Sequence, residues 1–154
     1  MKSAFSPKEE DNFMSIENKA VVRRFFELFS QGDLETIGRE LLSPEFVAHF
    51  PGMPGPLNPE SYRQVGLMFR SAFPDIQDTV EDQIADGDKV ATRITSRGTH
   101  QGEFMGIPAT GKQYTITAIV VDRIASGRIV ERWAEFDQLG MLQQLGIVPT
   151  PEQT

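Results

Sequence analysis

The sequence predicts an α+β fold in which N-terminal helices pack on a strongly curved, mostly antiparallel sheet. Three observations carry this expectation. Residues 15–29 repeat apolar side chains at helical spacing, with Val21, Val22, Phe25, Phe26, Leu28 and Phe29 forming one broad face. From Pro74 onward the chain turns to β-branched, alternating runs. Short turns, "DGD" and "ASG", separate those runs, which favours neighbouring antiparallel strands. Helices first and strands after is the α+β order.

Taken along the chain, residues 1–13 read as a polar, flexible extension lacking the apolar core of a signal peptide. A single domain is expected over 14–148, with 149–154 as a tail. Ser15 suits the N-cap of the first helix and Gly32 its stop. A short second helix covers "LETIGRELL", and "PEFVAHF" is a short strand. Pro51, Pro54 and Pro56 with Gly52 and Gly55 then force a surface loop or lid. Pro59 suits the first position of the next helix, "PESYRQVGLMFRSAF". Four strand-like runs follow: one within "IQDTVEDQIADGD" before the "DGD" turn, then "KVATRITSRGTHQGEF", "YTITAIVVDRI" and "RIVERWAEFD". "QLGMLQQLG" ends the chain as an amphipathic helix or tail. A curved sheet around the long helices leaves a pocket at its open end. Its other face needs a partner, so a homodimer is expected.

Composition narrows the function. A chain of 154 residues is long enough for one real core. Its net charge of −7, with no basic stripe, argues against nucleic acid as a partner. The absence of cysteine excludes disulfides, thiolate metal sites and a cysteine nucleophile. No apolar run approaches a membrane span, so a cytoplasmic protein with no membrane partner is the default. "GEFMGIPATGK" lacks the spacing of a phosphate-binding loop, and no G-x-S-x-G elbow of a serine hydrolase occurs.

The residues able to carry chemistry are few. Trp133, Glu135 and Asp137 alternate along the last strand and should share a face. If that face lines a pocket, the indole supplies an apolar wall and the carboxylates are acid–base candidates. If it faces water, Glu135 is solvated and Asp137 is simply an N-cap for the segment that follows. His49 precedes the proline-rich loop at a candidate cavity mouth, and its alternative is a hydrogen-bonded, partly buried imidazole. His100 sits in "GTHQGEF", where it lines the pocket or orders a turn. The two histidines and Asp137 contain no close ligand pair, so no metal site is expected. Arg93, Arg97 and Arg123 lie inside strands, where they bind a substrate oxygen, pair with a carboxylate or reach solvent.

"AFPD" (72–75), "GDKVATRITSRGTHQGEFMGIPATGK" (87–112) and "GRIVERWAEFDQLGMLQQLG" (127–146), with the opening "NKAVVRRFFELFSQGDLE", resemble the SnoaL-like polyketide cyclases, or ester cyclases. The likeness spans roughly 15–148. It implies the cone-shaped α+β barrel of the nuclear transport factor type and a homodimer or tetramer. It also implies ring closure by intramolecular aldol condensation, with an aspartate as acid–base group and no metal or other cofactor. Asp137 is the matching aspartate on this sequence, and His49 falls at or near the position of a pocket asparagine. Trp133, Glu135, Arg93, His100, Phe25, Phe29, Phe46, Met68 and Phe104 are then the expected pocket for a small hydrophobic or aromatic substrate. Two other functions fit the same cone: carboxylate-assisted hydrolysis, as of an epoxide, and non-catalytic binding of a small hydrophobic ligand.

Overall fold

The computed structural model describes residue 4 and residues 6–151. Residues 1–3 and 5 of the expected extension, and 152–154 of the expected tail, lie outside the described residues. Helix α1 runs Pro7–Gln31. Its start corrects the expected N-cap at Ser15 and turns residues 7–13 of the expected extension into helix. "SPKE" is a complete start signal: Ser6 accepts the Glu9 N–H, the Glu9 carboxylate accepts the Ser6 N–H, and Pro7 occupies the first turn. Gly32 ends the helix at φ +82°, a left-handed conformation that favours glycine. Helix α2, Leu34–Thr36, is capped by Asp33 and runs into a π-turn over Ile37–Leu41.

Strand β1 (Leu42–His49) leads through the proline-rich loop to α3 (Pro59–Ala72). Asn58 and Ser61 cap α3 reciprocally, with Pro59 in its first turn as the sequence predicts. Strands β2 (Gln77–Asp86), β3 (Lys89–Thr99), β4 (Gln113–Ala125) and β5 (Arg128–Phe136) follow, and α4 (Gln138–Gln144) closes the described fold.

The sheet order is β1-β5-β4-β3-β2. Four consecutive strands are antiparallel, and β1 lies parallel to β5 at one edge. Register shifts interrupt β1–β5, β2–β3 and β4–β5, where irregular pairing bends and twists a strand. Val90, Thr92, Ile94, Ser96 and Gly98 point inward from β3, while Arg93 and Arg97 point out. From β4, Tyr114, Ile116, Val120, Asp122 and Ile124 are buried. Val22, Phe25 and Phe26 of α1 are buried in one core cluster with β3, β4 and β5 residues. A second cluster joins Phe73 after α3, Phe104, Tyr114 and Met141 of α4. No described helix is long and apolar enough to cross a membrane.

Candidate active site

A cavity of about 250 Å³ lies between α1, α3 and the inner face of the sheet. That is close to the lower end of small-molecule sites, which are apolar with few polar groups. Phe25, Phe29, Phe69 and Phe136 supply aromatic wall, and Ile94, Ile116, Val120 and Ala134 supply the sheet side. Exposed Glu60, Arg63 and Glu135 belong to the lining and mark its rim.

One wall is polar. Asp78 on β2 lies directly opposite Ser96 on β3 in the antiparallel register. Side chains so paired share a face and touch. The Ser96 and Tyr114 hydroxyl oxygens are 3.1 Å apart. Tyr114 pairs with Gly98, not with Ser96, so its ring must cross Gly98 to reach that hydroxyl. A Cβ at Gly98 would sit 3.1 Å from the Tyr114 ring and 3.2 Å from Phe73. Glycine there opens the path. The Ser30 hydroxyl accepts the Asp78 backbone N–H at 3.0 Å, tying the end of α1 to the carboxylate's strand.

Asp78 Oδ1 is shut away from solvent and has no hydrogen-bond partner, although part of the residue reaches a polar groove outside. Burial drives its carboxyl up to about 6, against the opposing pull of the Ser96 hydroxyl, Arg132 and Arg70. Burial also pushes the Tyr114 phenol upward, so it stays protonated and able to donate.

The floor is a fixed cation. Arg132 of β5 donates through Nε and Nη2 to both carboxylate oxygens of Asp122, at 2.6 and 2.9 Å. Its Nη1 donates to the Tyr62 hydroxyl of α3 at 3.1 Å, and its guanidinium lies 3.9 Å from the centre of the Phe25 ring. Burial alone would favour the neutral form, but the Asp122 charge, the Tyr62 oxygen and the hydrogen bonds to both together outweigh it and keep Arg132 protonated. Asp122 is thereby committed to a structural pair, and Tyr62 is held at the cavity.

Of the residues singled out from the sequence, Phe25, Phe29 and Glu135 line this cavity. The others do not, and for Trp133 and Arg93 strand parity is the reason. On β5 the buried positions are Ile129, Arg132 and Ala134, so Trp133 points to the outer face. There Trp133 stacks on His49, ring centres 5.6 Å apart. His49 meets Glu131 at 2.8 Å, and that contact, with Arg123 beside it, holds the Glu131 carboxyl below its ordinary range. Arg93 also faces out, bound to Asp82 at 3.0 Å.

The expectation that Asp137 enters the cavity is corrected. Its exposed carboxylate caps α4 and accepts the Gly140 N–H at 2.9 Å. His100 is fully buried but orders the loop instead. Its Nδ1 lies 3.2 Å from the Thr110 backbone N–H and 3.0 Å from the Thr110 hydroxyl. Phe46 packs beneath Tyr62 in the first core cluster, while Met68 and Phe104 belong to the second; none of the three lines the cavity. Asp78, Ser96, Tyr114, Tyr62 and Arg132 were not singled out from the sequence.

Comparison with known proteins places this geometry. The model of the SnoaL-like polyketide cyclases matches residues 19–145. Aklanonic acid methyl ester cyclase DnrD of Streptomyces peucetius is 30% identical over 138 residues, covering 86% of this chain and 93% of DnrD. Among solved structures, IdmH of Streptomyces antibioticus, a candidate polyketide cyclase, is 41% identical. The match has a TM-score of 0.76 and covers 84% of this chain and 98% of that one. AclR of Streptomyces galilaeus, a candidate hydroxylase, is 29% identical with a TM-score of 0.81, covering 90% and 87%. The fold is thus the cone-shaped α+β barrel, and the reaction has to be argued from the site.

Proposed function

The chain belongs to the SnoaL-like polyketide cyclase family, and from that premise we propose that it closes a ring in a polyketide-like small molecule by an intramolecular aldol-type step. A proton leaves a carbon next to a carbonyl, and the resulting enolate carbon attacks a second carbonyl of the same molecule. The new alkoxide then takes a proton, so substrate and product are isomers. The observation that carries this proposal is an aromatic cavity in which one buried wall holds a carboxyl and two hydroxyl groups. Such a site orients a flat, neutral ketone or ester and stabilises negative charge developing on its oxygen. A homodimer, built on the outer face around Ile119, Val121 and Trp133, is part of the proposal. Sedimentation equilibrium tests it, and a monomer at all concentrations rejects it.

Turnover of a panel of aromatic β-keto esters with a second carbonyl in reach tests the reaction. Ala134→Phe fills the cavity from the sheet side, and Trp133→Phe alters only the outer face. The wild type and Trp133→Phe should form cyclised product while Ala134→Phe does not. Tight binding without any turnover across the panel would favour a ligand carrier.

A further inference from the structure

Several carboxylates lie near the cavity, and the geometry sorts them. Asp137 is exposed and committed to a helix cap. Glu60 and Glu135 are exposed at the rim. Asp122 spends both oxygens on Arg132. Asp78 alone, among the described lining residues, offers a buried carboxyl oxygen with no hydrogen-bond partner. A buried polar atom left unpaired is costly and calls for an explanation. Its surroundings are also built, because Ser30 fixes its backbone and Gly98 clears the way for Tyr114 to reach Ser96 beside it.

We propose that Asp78 is the catalytic acid–base group of this site and that Tyr114, held by Ser96, is the donor to the substrate's carbonyl oxygen. The assignment rests on the ring-closure function proposed above. The Asp78 carboxylate takes the proton from the carbon next to the carbonyl, and the C–H electron pair becomes the enolate. Tyr114 donates a hydrogen bond to the enolate oxygen and keeps its proton. The enolate carbon bonds to the second carbonyl carbon, whose π pair moves to oxygen. The Asp78 carboxylic acid returns its proton to that alkoxide, and nothing is consumed.

The first half-reaction can be read alone. An aryl ketone ester with no further carbonyl in reach for ring closure, incubated in heavy water, reports proton removal as loss of its α-proton signal by NMR. Calorimetry with the same compound reports binding. The wild type should catalyse exchange. Asp78→Asn should bind the compound yet exchange it at least about 100-fold more slowly, the usual scale of general acid–base catalysis. Tyr114→Phe should slow exchange by about 100-fold. Asp78→Ala should regain exchange on addition of formate, which a merely structural role would not give. Exchange at the wild-type rate in Asp78→Asn, or no formate rescue in a folded Asp78→Ala, overturns the assignment. A wild type that binds without exchanging overturns the ring-closure function itself.

Discussion

Replacing Asp78 by asparagine should make the protein more stable near neutral pH, even as it removes activity. The Asp78 carboxyl is driven by burial from 3.8 to about 6. The folded state therefore holds this proton more tightly than the unfolded chain. The stability tied to the proton is complete below the unfolded value and is lost as pH rises through about 6. A shift of roughly two units corresponds to about 3 kcal/mol, the penalty for an ionised Asp78 at alkaline pH. Asparagine stays neutral and escapes that penalty, less whatever its own buried amide hydrogens lose. Urea denaturation near pH 8 should show Asp78→Asn gaining up to about 3 kcal/mol, or on the order of 6–12 °C in Tm for a domain this size. Near pH 4 the gain should shrink towards zero. A difference independent of pH, or a loss of stability at pH 8, would refute the claim that this carboxyl is buried without compensation.

Other perturbations separate structural groups from reacting ones. Asp137→Ala removes the α4 cap and should cost about 1 kcal/mol in denaturant melts while leaving turnover intact. Arg132→Met strands the Asp122 carboxylate in the interior and should cost about 3–5 kcal/mol. Asp122→Leu added to Arg132→Met should recover much of that loss, since an apolar pair leaves no unpaired charge.

The architecture was legible because periodicity reports it directly. Val90, Ile94 and Gly98 against Arg93, Thr95 and Arg97 assigns the two faces of β3 correctly, and "NPES" marks the start of α3. "SPKE" carried the true start of α1, but its signal was weaker than the apolar run beginning later. The site was less legible, for a reason of parity. Trp133, Glu135 and Asp137 do share a strand spacing, yet only the alternation of Ile129 and of Arg132 and Ala134 across a register shift shows which side is inside. An arginine at an inward position reads as a solvent position until its buried partner Asp122 on β4 is known. Asp78 had a usable signal, because it shares parity with Val80 on its strand, as Ser96 does with Ile94 and Tyr114 with Ile116. Polar residues on the apolar parity of neighbouring strands are the pattern that a search for lone histidines and terminal carboxylates passes over.

The most direct test is a crystal structure of the protein with an unreactive aromatic ketone ester bound. The ligand should lie between Phe25, Phe69 and the sheet, its carbonyl oxygen in hydrogen-bond reach of Tyr114 and its α-carbon against Asp78 Oδ1. A ligand seated instead beside Asp137, or on the outer face against Trp133 with the cavity unfilled, would contradict both the site and the chemistry assigned to it.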